Sequence, residues 1–136
     1  MFLLTETWHT ASTGTASTCC ALARYSIIDK PQPVTSTSVA NHEGVAAVIS
    51  DYVTYRLIPA PSEAQSFDLM CFSVTSSDVT IVILLLYRPG SSCLTNNFYS
   101  ELVEYLESLA LCKCQIIVIG DFNIRTEKSA TMTQSK

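Results

Sequence analysis

The sequence of 136 residues is poor in basic charge, with 8 Lys and Arg against 12 Asp and Glu and a formal net charge of −4. An overall positive field is therefore excluded, and any contact with a nucleic-acid backbone must be local. Long apolar runs are also lacking, since the longest, at residues 79–86, is far shorter than the roughly 20 residues of a membrane-spanning helix. The N-terminal segment has no basic residue ahead of its short apolar stretch, unlike a secretory signal. We therefore expect an intracellular protein, in the nucleus or the cytoplasm, that is neither secreted nor membrane-spanning.

Cysteine and histidine provide no familiar metal or disulfide pattern. The 6 cysteines are irregularly spaced, which does not match the framework of a disulfide-stabilised extracellular domain. Cys112 and Cys114 could contribute to a zinc site, but no second cysteine or histidine pair lies at a familiar ligand spacing. We therefore expect mostly buried thiols. His9 and His42 are expected to be surface or loop residues.

Composition indicates one modest globular domain, with 48% hydrophobic and 15% charged residues. We expect the domain to cover residues 1–126 and a polar tail to cover residues 127–136. Two stretches are typical of loops: residues 10–18, which consist of Ser, Thr, Gly and Ala, and residues 31–38, which are rich in Ser, Thr and Pro.

Runs of strand length dominate the remaining sequence. Apolar, β-branched or aromatic residues concentrate at residues 2–8, 44–50, 52–58, 66–74, 79–87 and 115–120. We expect the second and third runs to pair as a meander or hairpin. The run at 79–87 is apolar on both faces and predicts a central strand, and the run at 115–120 predicts another buried strand. The segment at 20–28 fits either one or two helical turns or a short strand.

One amphipathic helix follows residues 95–97, whose Thr and Asn side chains are candidate N-caps. Its apolar face consists of Phe98, Leu102, Tyr105, Leu106 and Leu109. Strands and a helix together predict an α/β fold.

Three apolar runs end in a polar side chain: Glu6, Tyr87 and Asp121, with Asn123 two residues further. Strand ends on a rigid sheet are common ligand sites, and carboxylates there can hold a divalent metal. Two carboxylates, an amide and a phenol suit phosphate chemistry. Each residue also has a structural interpretation, as a loop or capping carboxylate or as an aromatic residue at a rim. Arg88, Arg125 and Lys128 are the basic groups near this candidate site, and plain surface charge accounts for them equally well.

Four motifs occur in an order that resembles a known family: LTETW at residues 4–8, GVA at 44–46, YRPG at 87–90 and IVIGDFN at 117–123. They resemble the endonuclease/exonuclease/phosphatase superfamily, most closely the endonuclease domain of non-LTR (LINE-type) retrotransposons. The resemblance implies a partial DNase I-like two-sheet sandwich flanked by helices. It also implies a metal-dependent phosphodiesterase that nicks DNA, with a reverse transcriptase domain in the parent polyprotein.

The same resemblance implies a role for each candidate residue. Glu6 is similar to the family's metal-binding glutamate, with Mg²⁺ or Mn²⁺ as cofactor. Tyr87 is similar to the active-site tyrosine near the scissile phosphate, and Asp121 to the aspartate that positions or activates the water. Asn123 is similar to the asparagine that stabilises the transition state.

Two family elements have no counterpart in the sequence. The family has a further strand with a site asparagine before the glutamate, and a later Ser-Asp-His element that supplies a histidine. We therefore expect a fragment truncated at both ends, of low stability because the strand at 79–87 would lack its partner sheet. Whether it is an enzyme stays open: the alternatives are a catalytically dead remnant of a mobile element and an unrelated small binding module.

Overall fold

Seven strands and one helix form the part of the chain that the computed structural model describes, which is residues 1–7, 24–30, 44–60, 64–90 and 94–124. They are β1 (Phe2–Thr5), β2 (Tyr25–Lys30), β3 (Val45–Ser50), β4 (Thr54–Leu57), β5 (Asp68–Ser76), β6 (Val79–Tyr87), α1 (Asn96–Leu109) and β7 (Gln115–Asp121). In these ranges, no helix has the length and apolar character that crossing a membrane requires. The loops predicted at 10–18 and 31–38, the two histidines and the polar tail lie outside the described residues.

The strands form two sheets. The first has the order β1-β3-β2, and both neighbours of β3 are antiparallel to it. The second has the order β4-β5-β6-β7, in which β4, β5 and β6 are antiparallel and β7 runs parallel to β6 after the crossover through α1. The predicted α/β fold is confirmed, as a partial DNase I-like sandwich with one helix among the described residues.

Strand β6 contributes to two apolar layers. Its residues Ile83, Leu85 and Tyr87 face the other sheet, and they pack with β3 side chains such as Ile49. The alternate residues of β6 face α1, where Phe98 is 1% exposed. The central position predicted for the run at 79–87 is confirmed. The expectation that this strand lacks a partner sheet is wrong, because the three-stranded sheet covers one face and α1 covers the other.

The predicted hairpin between residues 44–50 and 52–58 is wrong. Strand β3 has β1 on one side and β2 on the other, so neither of its edges is available to β4. A tight turn, in which the Val53 amide donates to the Ser50 carbonyl at 2.9 Å, instead leads the chain into the second sheet. There β4 pairs with β5.

The prediction of a second buried strand at 115–120 is also wrong. All residues of β7 are exposed, and Ile117 and Ile119 retain 45% and 42% exposure. The reason is that, among the described residues, β7 is the edge of its sheet and pairs only with β6. An apolar strand at a sheet edge is a site for unwanted association.

The helix begins as the sequence predicts. The Phe98 amide donates to the Thr95 hydroxyl at 3.4 Å, which makes Thr95 the N-cap. The apolar face is buried at Phe98, Tyr105 and Leu109, while Leu106 is 37% exposed. For residues 20–28 the sequence allowed either helical turns or a short strand. In the described part of this segment, residues 25–28 form the beginning of strand β2.

Candidate functional site

The candidate residues meet at one end of the sandwich, where β1, β6 and β7 end and where β3 and β5 begin. Tyr87, the last residue of β6, pairs with Asp68 on one side and with Asp121 on the other. Paired residues on neighbouring strands point to the same face, with the strands about 4.8 Å apart. The side chains of Asp68, Tyr87 and Asp121 therefore form a row on the face that looks toward the three-stranded sheet.

Glu6 joins this row from the other sheet. The Tyr87 hydroxyl donates to Glu6 Oε1 at 2.9 Å, between residues 81 positions apart in the sequence. Tyr87 is 3% exposed, whereas Glu6 is exposed. Glu6 also has a φ of 55°, a left-handed conformation that is uncommon outside Gly, Asn and Asp and is concentrated at functional sites.

Asp121 and Asn123 form a tight turn after β7. The Asn123 amide donates to Asp121 Oδ1 at 3.1 Å, and Asn123 has a φ of 47°, which asparagine tolerates well. Asp121 is exposed and Asn123 is half-buried. The structure thus brings Glu6, Tyr87, Asp121 and Asn123 to the same end of the fold.

Asp68 lies at the same end of the fold as the candidate site, and sequence reasoning missed it. Its Oδ2 accepts a 2.8 Å hydrogen bond from the Gly44 amide, and the Gly44 carbonyl accepts a 3.3 Å hydrogen bond from the Thr7 amide. These two bonds tie the start of β5 to the strands that present Glu6. The available sequence signal was a single carboxylate near the start of the predicted strand at residues 66–74.

Gly44 occupies a position that other residues do not fit. Its φ is 109°, and an added Cβ would lie 2.5 Å from Thr7 Oγ1. That hydroxyl oxygen is buried and has no hydrogen-bond partner in the described part of the chain, although buried hydroxyls are normally satisfied. An unsatisfied hydroxyl at this position, next to Glu6, requires an explanation.

Arg88 is the second residue whose role was missed. Of the two interpretations that the sequence left open for Arg88, plain surface charge is excluded, because Arg88 is 2% exposed. Its Nη1 donates to the Asn123 carbonyl at 3.1 Å, and its own carbonyl accepts from Asn123 Nδ2 at 2.7 Å. Arg125 and Lys128 lie outside the described residues.

The donor set fits a hard divalent cation that keeps most of its water. Among the described residues no group of three His, Cys, Asp or Glu side chains could enclose a metal ion. Mg²⁺, however, commonly binds through one or two carboxylates and retains several waters. The exposed Glu6 carboxylate, fixed through one oxygen by Tyr87, meets this requirement, and Asp121 offers a second exposed carboxylate at the same end.

The described cysteines do not contribute to this end of the fold. Cys71, Cys112 and Cys114 are free thiols, of which Cys71 is buried, Cys114 is half-buried and Cys112 is exposed. Burial, with a smaller contribution from Cys112, raises the pKa of Cys71 to about 11. Cys71 is therefore an unreactive thiol at neutral pH.

Comparison with solved structures shows the fold. The chain is similar to humanized D. rerio TDP2 carrying 14 mutations, with 16% identity and a TM-score of 0.53 over 91% of this chain and 52% of that one. It is also similar to D. rerio TDP2 complexed with single-strand DNA product, with 18% identity and a TM-score of 0.55 over 90% of this chain and 47% of that one. No family profile and no curated protein matches the sequence. The chain thus spans about half the length of these structures and shares their sandwich fold.

Proposed function

We propose that this chain is part of a metal-dependent phosphodiesterase of the endonuclease/exonuclease/phosphatase superfamily, and that its substrate is DNA. The single observation that carries the proposal is the 2.9 Å hydrogen bond from Tyr87 to Glu6, made at the strand end where Asp121 pairs with Tyr87. Four polar residues from three separate segments of the sequence converge there at the strand ends. A similar structure that holds a single-strand DNA product supports DNA as the substrate.

Each side chain has a chemical task in this proposal. Glu6 binds Mg²⁺ or Mn²⁺, which when bound supplies charge that stabilises the phosphoryl oxygens. The single Tyr87 proton is donated to Glu6, so Tyr87 positions the metal-binding carboxylate. The resemblance placed Tyr87 near the scissile phosphate, whereas in this proposal its hydroxyl binds Glu6.

Asp121 and Asn123 act on the other side of the reacting phosphate. Asp121 accepts a proton from the attacking water or orients it. One N–H of the Asn123 side chain donates to the Arg88 carbonyl, and the second N–H donates to the phosphoryl oxygen as its negative charge grows. With a net charge of −4, affinity for DNA depends on these local contacts rather than on an overall field.

We further propose the LINE type within this superfamily, in which the endonuclease nicks target DNA and a reverse transcriptase domain belongs to the parent polyprotein. The support is the order of LTETW, GVA, YRPG and IVIGDFN along the chain. A nucleus or cytoplasm location agrees with this activity. The alternative is a remnant of a mobile element that has the fold and no activity.

Nicking of supercoiled plasmid tests the proposal. The protein incubated with Mg²⁺ or Mn²⁺ is expected to produce open circles, and EDTA is expected to abolish them. Asp121→Asn should remove the activity, while Asp78→Asn should not, because Asp78 lies in the turn at the opposite end of β6. Nicking that persists in Asp121→Asn contradicts the site assignment. The absence of metal-dependent nicking in the unaltered protein favours the inactive remnant.

A further inference from the structure

Arg88 is the only buried charged side chain in the part of the chain that the structure describes, at 2% exposure. A buried guanidinium is costly unless hydrogen bonds compensate it, so its position requires a reason. It cannot be direct contact with substrate, since an almost completely buried group does not reach a phosphate in solvent.

Three hydrogen bonds join Arg88 to the turn after β7. The Arg88 amide donates to the Asp121 carbonyl at 2.9 Å. The Arg88 carbonyl accepts from Asn123 Nδ2 at 2.7 Å, and Arg88 Nη1 donates to the Asn123 carbonyl at 3.1 Å. The turn is therefore held at the backbone carbonyls of Asp121 and Asn123 and at the Asn123 side chain.

The guanidinium is anchored on its other side by the helix. Its central carbon lies 5.7 Å from the centroid of the Phe98 ring, a distance at which a cation and an aromatic ring attract each other. Phe98 is 1% exposed and packs edge to face on Phe67. Arg88 thus connects the rigid core beneath α1 to the turn that carries Asn123.

The turn needs such an anchor because β7 provides little support of its own. Strand β7 is an exposed edge, and Asn123 has a left-handed φ of 47°. Gly90 is close to the Asn123 side chain, where an added Cβ would lie 3.1 Å from Oδ1. The Asn123 side chain thus lies against the Arg88 carbonyl and Gly90.

We infer that Arg88 is a positioning residue: its guanidinium holds the Asn123 backbone carbonyl, and this keeps the Asn123 side-chain amide directed at the Arg88 carbonyl. The geometric part of this inference stands on the contacts above, and its catalytic consequence rests on the proposed function. In the reaction, a fixed Asn123 amide donates to the phosphoryl oxygen without first reorganising. Displacement of such a group by about 1 Å can cost about 100-fold in rate.

Two variants separate charge from geometry. Arg88→Lys keeps the charge but loses the planar guanidinium, and Arg88→Met keeps the length of the side chain but loses its donors. Arg56→Met is the matched control, because Arg56 is exposed on β4 at the far edge of the sheet. Thermal unfolding of each variant reports whether it retains a folded state.

The first measurement is the NMR signal of the Asn123 side-chain amide in ¹⁵N-labelled protein. We expect Arg88→Met to shift this signal and speed its hydrogen exchange, Arg88→Lys to give an intermediate result, and Arg56→Met to leave it unchanged. If Arg88→Met does not fold, the comparison of Arg88→Lys with the unaltered protein decides. An Asn123 signal that is unchanged in the folded variants overturns the inference, whether or not the protein nicks DNA.

The second measurement applies when the unaltered protein nicks DNA. Loss of positioning predicts that kcat falls up to about 100-fold in Arg88→Met while KM stays nearly constant. Partial recovery of kcat in Arg88→Lys supports the same role. A raised KM with an unchanged kcat overturns the inference, because it shows that Arg88 affects substrate binding and not the positioning of Asn123 in the reaction.

Discussion

Tyr87 and Glu6 are joined by a 2.9 Å hydrogen bond that crosses from the four-stranded sheet to the end of β1. The ring of Tyr87 belongs to the apolar layer between the sheets, and only its hydroxyl reaches the candidate site. A rigid core residue thereby holds an exposed carboxylate. Glu6, in its left-handed conformation, is thus fixed before any ligand binds.

Tyr87→Phe removes this hydroxyl and retains the ring. We expect Mn²⁺ affinity, measured by isothermal titration, to fall about 10- to 100-fold, the usual effect of removing a group that orients a metal ligand. The free energy of unfolding should fall by only about 1 kcal/mol, the typical contribution of one hydrogen bond. Tyr55→Phe is the control, since Tyr55 packs against the same apolar layer. Equal metal affinity in the two variants would argue against the positioning role of Tyr87.

Gly120→Ala tests the pairing that brings Asp121 beside Tyr87. Gly120 has a φ of 149°, and an added Cβ would lie 1.7 Å from the Leu86 carbonyl oxygen, within the backbone of β6. We expect a loss of about 3 kcal/mol in the free energy of unfolding, because the backbone is strained and β7 must move away from β6. Urea unfolding measures this loss in the free energy of unfolding. Gly90→Ala, whose Cβ meets only side-chain atoms of Asn123, should cost clearly less, and equal costs would contradict the close approach at Gly120.

Glu101 is expected to make stability depend on pH. Burial alone would raise the pKa of Glu101, but hydrogen bonds from Ser66, Gln65 and Asn97 lower it below its usual value. A group whose folded-state pKa is lowered contributes stability above its unfolded pKa, about 4.3 for glutamate, and loses it as pH falls through the folded pKa. Glu101→Gln should therefore lower Tm at pH 7, and its effect should shrink as pH falls below the unfolded pKa. The exposed Glu107→Gln is the control, and a Glu101→Gln effect that is constant with pH would exclude this linkage.

Ile83 and Ile117 occupy paired positions on β6 and β7 but differ in burial, at 2% and 45% exposure. Ile83→Ala should cost about 2–5 kcal/mol as a core truncation, whereas Ile117→Ala should stay within about 0.5 kcal/mol as a surface change. Denaturant unfolding compares the two. Ile117→Lys should also reduce aggregation, because charge protects a free edge. A large cost for Ile117→Ala would show that something covers β7 in solution.

Much of the fold could be predicted from the sequence because local patterns determine it. The doubly apolar run of β6 and the Thr95 cap with its amphipathic helix are properties of short segments. The pairing of β3 and the exposure of β7 could not be predicted in this way. Both depend on which strands occupy neighbouring edges, and this choice is made by distant segments.

The residues of the candidate site also fall into two groups, those that local sequence patterns could predict and those that they could not. Glu6, Tyr87, Asp121 and Asn123 could be selected because each follows an apolar strand within a recognisable motif. Asp68 and Arg88 could not, since their tasks consist of hydrogen bonds to Gly44 and Asn123, which are 24 and 35 residues away. A buried arginine that binds backbone carbonyls has the same sequence signature as a surface arginine.

The most direct test of the account is a Mn²⁺ titration of ¹⁵N-labelled protein followed by paramagnetic line broadening. We expect the amide signals of Glu6, Tyr87, Asp121 and Asn123 to broaden first, and excess Mg²⁺ to restore them. This result would place one divalent metal site at the strand ends. The central claim is that these four residues form a metal-dependent site. It would be contradicted if broadening began at carboxylates away from this end, such as Asp78 and Glu107. It would also be contradicted if Mg²⁺ did not reverse the broadening, or if no broadening occurred.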